Sequence, residues 1–296
     1  MLAWRVIISA ILIPLLVAIF YLDAHLGEPA WGLLVLMELL ALRSVWELTE
    51  LLRGRFPRIQ LAVLYPCVAM IILGSWFPHL QPSPPQHLDL TPLALSLCFA
   101  VMLLLAAEAW RFQAPGRSAE TLGTETLIIC YVGLLLAMTA QLRWVAGADA
   151  GYLVIGSLLV CSKGGDIGAY FFGKRFGQRK MAPLLSPKKT WEGAGGAMLG
   201  AALGGWGWLT FVTPILMPGA IPPNWIYCIL YGCLIGIAGM IGDVCESLLK
   251  RDVGRKDSAA LFPGFGGLLD MLDSVLYAGP VALLLWKVLP LATWNS

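Results

Sequence analysis

Five carboxylates in the C-terminal half of this sequence stand where long apolar segments end: Asp166, Asp243, Glu246, Asp270 and Asp273. Asp243 and Glu246 are three residues apart, and so are Asp270 and Asp273. On a helix each pair therefore shares one face. Ser247 and Lys250 continue the Asp243 face, and Lys163 precedes Asp166 at the same spacing. So many carboxylates stay together only if cations neutralise them. Lys163, Lys250 and Arg251 supply part of that charge. A hard divalent ion such as Mg²⁺, which prefers carboxylate oxygens and substrate phosphates, is the other source. Plain helix–helix glue through carboxylate–lysine pairs is the alternative, and it loses weight when three segment ends carry such residues instead of one.

Two basic stretches flank these carboxylates. One runs from Gly173 to Glu192 and contains Ser186-Pro187-Lys188-Lys189-Thr190, just ahead of an apolar segment. Two ammonium groups between two hydroxyls at a helix start make a good phosphate site. The other runs from Lys250 to Asp257 and holds Arg251, Arg255 and Lys256. Topology and contact with anionic lipid explain part of this charge. The run Pro263-Gly264-Phe265-Gly266-Gly267 also precedes a helix, and its glycines let backbone N–H groups approach an anion closely. Carboxylates that hold metal, beside loops that grip phosphate, are the layout for phosphoryl or nucleotidyl transfer. That chemistry rests on positioning and charge neutralisation. No Walker A motif is present, which excludes a P-loop NTPase.

The elements that carry these residues follow from composition. Of 296 residues, 58% are hydrophobic and 13% charged, against about 25% charged in a soluble domain. The apolar residues fall in runs long enough to cross a bilayer as helices. The pattern predicts an all-α, polytopic membrane protein with about nine spans, near 6–22, 30–46, 59–77, 91–109, 126–142, 151–172, 191–213, 225–248 and 267–288. Residues 1–150 form an N-terminal scaffold of five spans, and 151–296 a catalytic region of four. The first five spans offer only Glu38 and Glu108 as intramembrane charges, each alone.

Lys and Arg collect on the cytoplasmic side of membranes. With the N-terminus inside, the inner segments hold Arg5, Arg43, Arg53, Arg55, Arg58, Arg111, Arg117, Lys174, Arg175, Arg179, Lys180, Lys188, Lys189, Lys250, Arg251, Arg255 and Lys256. Only Arg143, Lys163 and Lys287 of the 20 basic residues fall elsewhere. The carboxylate cluster lands on the same inner face. The three histidines, His25, His79 and His87, all land outside, so the inner chemistry has no imidazole. The seven cysteines lie in apolar runs without a CxxC pair and read as small buried hydrophobes.

At these residues the chain resembles the phosphatidate cytidylyltransferase (CDP-diacylglycerol synthase) family. The family's C-terminal signature, S-x-x-K-R-x4-K-D followed by a glycine-rich run and D-R-x-D, is met by Ser247, Lys250, Arg251, Lys256, Asp257, Gly266, Gly267, Asp270 and Asp273. Upstream, Asp166 to Gly173 and Ser186 to Gly193 match two further blocks. Phe265 stands where the family usually has His, and Met271 where it usually has Arg. The resemblance implies the reaction CTP + phosphatidic acid → CDP-diacylglycerol + pyrophosphate. It implies Asp243, Asp270, Asp273 and Asp166 as Mg²⁺ ligands or their partners, with a potassium ion beside the magnesium. It assigns catalysis to Asp243, Asp270, Asp273, Lys250 and Lys189. It gives the grip on phosphate to Ser186, Lys188, Lys189, Ser247, Lys250, Arg251, Lys256, Asp257, Gly266 and Gly267. The expected partners are CTP, phosphatidic acid and the bilayer, with a homodimer among the allowed arrangements and no nucleic acid. The expected place is the cell's inner membrane. A transporter is the rival from another class, and it predicts charges at the bilayer midplane and repeated halves. A transferase acting on a different lipid phosphate is the rival enzyme.

Overall fold

The structure, a computed structural model, describes residues 2–56, 58–81, 89–147, 150–259 and 266–291. Pro263, Gly264, Phe265 and His87 lie outside the described residues, and so does the Arg5 side chain. Almost everything described is helix, as an apolar chain requires, because in lipid each backbone polar group must be satisfied within its own segment. The helices are α1 (Leu2–Leu26), α2 (Trp31–Leu52), α3 (Leu61–Trp76), α4 (Thr91–Arg111), α5 (Ser118–Ile128), α6 (Leu135–Ala140), α7 (Gly151–Phe176), α8 (Trp191–Gly207), α9 (Thr213–Leu216), α10 (Trp225–Asp252) and α11 (Leu269–Val288). A π-helical turn at Ile129–Leu134 joins α5 to α6, and another at Trp208–Val212 joins α8 to α9.

Seven helical stretches among the described residues are long and apolar enough to cross a membrane. The protein is thus an all-α, polytopic membrane protein. Helices α2 and α7 are as long, but they carry Glu38, Arg43, Glu47 and Glu50, and Lys163 and Asp166, respectively. Helices outrun the apolar runs that announce them. The segment expected at 30–46 extends to Leu52, and the one expected from 126 starts at Ser118. One piece departs from the all-helical expectation. The basic stretch after α7 folds into a hairpin of β1 (Lys180–Ala182) and β2 (Ser186–Thr190), with Lys180 opposite Thr190 and Ala182 opposite Ser186.

The chain forms two compact units. The first comprises Met1–Ala140 and Val253–Met271, and the second Gln141–Asp252 and Leu272–Ser296. In the first, α2 and α3 bury Leu33, Val45, Leu48, Leu64, Val68, Ile71 and Trp76. Asp23 on α1 accepts the Gly32 and Leu33 N–H groups at the start of α2. Glu108 is not alone: Arg111 pairs with it at 2.7 Å and with Glu125 of α5 at 3.7 Å, and Glu125 accepts the Gln60 N–H. Both carboxylate oxygens of Glu38 are buried without a hydrogen-bond partner among the described residues.

In the second unit α8 packs against both α7 and α10 through small residues. A Cβ on Gly164 would lie 2.8 Å from the Gly200 carbonyl oxygen, and one on Gly168 would run into that of Gly196. On the α10 side, a Cβ on Gly236 would lie 3.0 Å from the Ala197 carbonyl oxygen. Helices in lipid associate by such close backbone approach. Gly168→Ala is therefore expected to destabilise the detergent-solubilised protein by about 1–3 kcal/mol, the usual range for overpacking. Thermal unfolding followed by fluorescence checks this, with Gly195→Ala as the control, since nothing lies within 4 Å of a Cβ there.

Candidate active site

In the second unit the hairpin delivers a lysine to a carboxylate. Thr190 ends β2 and caps α8, its Oγ1 accepting the Gly193 N–H at 3.1 Å. The Glu192 carboxylate accepts the Gln178 and Arg179 N–H groups and ties the hairpin's base to the first turn of α8. Arg251 Nε, near the end of α10, donates to the Leu185 carbonyl at 3.1 Å and holds the hairpin's tip. Strand β2 is thus fixed at both ends. It presents Lys189, whose Nζ lies 2.6 Å from Asp243 Oδ2 and donates to the Met240 carbonyl at 3.4 Å. Ser186 is half-buried and Lys188 exposed on the same strand.

Asp243 sits on α10 where that helix touches α11. A Cβ on Gly242 would lie 2.6 Å from the Asp273 carbonyl oxygen, so the two backbones meet beside the two carboxylates. Asp273 is buried and accepts the Ser274 N–H and hydroxyl. The Asp243 carboxylate is close enough to repel it, and the Lys163 ammonium attracts it from α7. Lys163 also pairs with Asp166 at 3.0 Å, both side chains being about half exposed. The structure therefore brings Lys163, Asp166, Lys189, Asp243 and Asp273 into one run of charge contacts. Glu246 and Lys250 are paired and buried together, with Ser247 buried beside them.

In the first unit the segment before α11 is organised around two carboxylates. Gly266 has φ +90°, a left-handed conformation that glycine adopts without strain. The chain then passes Gly267, whose N–H donates to Asp270 Oδ2 at 2.7 Å. The same oxygen accepts the Ser258 N–H at 3.0 Å and its hydroxyl at 2.8 Å. The second carboxylate is Glu47, far away in sequence and fully buried. It accepts the Leu268 and Leu269 N–H groups at 3.0 and 2.9 Å and the Ser258 hydroxyl at 3.3 Å, and it pairs with Arg43 at 3.0 Å. Of the glycine run, Gly267 presents its N–H to one of the chain's own carboxylates. Lys256 and Asp257 are exposed. Glu47 escaped the sequence reading because it lies one residue beyond the apolar run that marks its helix. The signal for it was its spacing of four from Arg43.

Hard carboxylate oxygens crowded against one another suit a hard divalent ion. Asp243 and Asp273 fit that chemistry, being repelling neighbours that two lysines only partly balance. Among the described residues no three His, Cys, Asp or Glu side chains are grouped tightly enough to hold a metal by themselves. A bound Mg²⁺ would then take part of its coordination from water and substrate phosphate, as that ion usually does.

The sequence pattern of the cytidylyltransferase family matches residues 3–289. The phosphatidate cytidylyltransferase of Pseudomonas aeruginosa is 32% identical over 299 aligned residues, 100% of both chains. That of Bacillus subtilis is 30% identical over 79% of this chain and 81% of its own. The uncharacterized protein YnbB of Escherichia coli is 42% identical over 133 residues, 45% of this chain and 42% of its own length. Matching the family's pattern over nearly its whole length, the chain belongs to the cytidylyltransferase family.

Proposed function

We propose that this protein transfers the cytidylyl group of CTP to phosphatidic acid, releasing pyrophosphate and forming CDP-diacylglycerol. The observation that supports this reading is the contact of Lys189 with Asp243, which sets a strand carrying two lysines and a serine against a carboxylate. The B. subtilis and P. aeruginosa relatives, by name, act on phosphatidate. A phosphate oxygen of phosphatidic acid attacks the α-phosphorus of CTP. The bond from that phosphorus to the bridging oxygen breaks, and pyrophosphate leaves with the electron pair. The nucleophile is already anionic, so the step needs little help from a general base. Lys189, Lys188 and Ser186 hold phosphate oxygens and keep the reacting atoms in line. Asp243 and Asp273, with Asp166 in support, would hold Mg²⁺; for Asp270 a metal-holding role is what the resemblance implies. When bound, the ion neutralises charge on the leaving pyrophosphate.

The distribution of Lys and Arg supports nine spans with α2 and α7 among them, the N-terminus inside and the active site at the cytoplasmic face of the inner membrane. The purified protein, given labelled CTP, phosphatidic acid and Mg²⁺ with and without K⁺, is expected to form labelled CDP-diacylglycerol and pyrophosphate. Failure to form either across a range of phosphatidic acids overturns the reading.

A further inference from the structure

Glu47 is a carboxylate of the first unit whose partners lie both on its own helix and more than 200 residues away. It is 0% exposed. Its Oε1 faces Arg43 Nε and the Leu268 N–H, both at 3.0 Å, and its Oε2 faces the Leu269 N–H at 2.9 Å and the Ser258 hydroxyl at 3.3 Å. Leu268 precedes α11 and Leu269 opens it, where N–H groups have no partner within the helix and the helix dipole favours negative charge. A side chain of α2 thus caps a helix more than 200 residues away. Ser258 reaches from the preceding loop to both Glu47 and Asp270. It couples the cap to the aspartate one residue into the helix.

We infer that Glu47 is a positioning residue for the transfer reaction: by capping α11 and sharing Ser258 with Asp270, it fixes where the Asp270 carboxylate stands. The inference rests on the reading of Asp270 as a metal-holding carboxylate. It gives the N-terminal region a defined part in the chemistry, through one carboxylate and not through bulk scaffolding. Arg43 balances the buried charge, so the cap persists without help from solvent. Partners that orient a ligating carboxylate typically contribute about 10–100-fold in metal affinity or activity. A structural role alone would change thermal stability and leave metal binding by the folded fraction unaltered.

The test compares Glu47→Gln, Ser258→Ala and Asp270→Asn with the parent in detergent. Mn²⁺ binding is read by electron paramagnetic resonance, kcat and KM by CDP-diacylglycerol formation, and folding by thermal unfolding. Glu47→Gln is expected to weaken Mn²⁺ binding and lower kcat by about 10-fold or more, with KM for phosphatidic acid within twofold of the parent. Ser258→Ala removes one shared donor and is expected to do the same to a smaller extent, near threefold. Should Glu47→Gln fail to fold, Ser258→Ala decides, and parental Mn²⁺ binding in that variant overturns the inference. Parental Mn²⁺ binding and turnover in a folded Glu47→Gln protein overturn it as well. A defective Asp270→Asn beside a normal Glu47→Gln overturns this inference alone. A normal Asp270→Asn overturns the ligand reading of Asp270 and this inference with it.

Discussion

Asp243→Asn is expected to lower kcat by at least about 10²–10³-fold, the scale on which a single preorganised electrostatic group contributes to a transition state, while the protein folds as before. The side chain is of nearly equal volume and about two-fifths exposed, so the change leaves no cavity. What changes is charge. Lys189 loses its anionic partner at 2.6 Å, Asp273 loses its repelling neighbour, and a divalent ion loses a hard oxygen donor. Removing Asp243's charge without touching Lys189 separates two explanations. If the pair were only structural glue, the loss would show in thermal stability and not in the metal dependence of the rate. If Asp243 holds metal, the loss shows in kcat and in the Mg²⁺ concentration needed for half-maximal rate. Labelled CDP-diacylglycerol formation titrated with Mg²⁺ reads both. An Asp243→Asn protein within threefold of the parent at every Mg²⁺ concentration removes the metal assignment.

The second unit was largely legible in the sequence because its charges interrupt apolar helices. A carboxylate in such a setting is conspicuous, and a spacing of three or four fixes the face it shares. Lys163 with Asp166 follows directly from that rule. The contact of Lys189 with Asp243 does not, because sequence spacing says nothing about which loop folds back onto which helix, and the hairpin that makes the contact lies in a stretch dominated by charge and turn residues. Lys250 carries two readings at once. Its place in a family signature suggests a grip on substrate, and its spacing of four from Glu246 also makes an ion pair on a helix, here a buried one. In the first unit the glycines at 266 and 267 were readable as a place where N–H groups meet an anion. Their partner was not, since Glu47 lies more than 200 residues away in a helix whose apolar run had just ended. Hydrophobic periodicity locates helices well and their polar ends poorly, and in this protein the ends carry the chemistry.

Gly267→Ala is expected to destabilise the protein by at least about 3 kcal/mol and to reduce turnover by more than its effect on the folded fraction. A methyl group at this position would press on the Ser258 hydroxyl and on the Glu47 carboxylate. Overpacking alone costs about 1–3 kcal/mol. The atoms displaced here are also those that satisfy a fully buried charge. Pushing Glu47 away would strand its carboxylate from Leu268, Leu269 and Ser258, and removing a partner from a buried charge costs about 3–5 kcal/mol. The site cannot relax by tilting the Gly267 N–H, because that group is already committed to Asp270 Oδ2 at 2.7 Å. Gly195→Ala supplies the contrast, since a Cβ there meets nothing within 4 Å. In a helix that change is neutral or stabilises by up to about 1 kcal/mol. The two variants differ from the parent by the same single methyl, so unfolding temperature and turnover per folded molecule isolate the effect of place. If Gly267→Ala matches Gly195→Ala in both measurements, the Glu47–Ser258–Asp270 arrangement does not constrain the start of α11. If it falls in both, the glycine is there to let the Glu47 and Asp270 carboxylates approach one backbone.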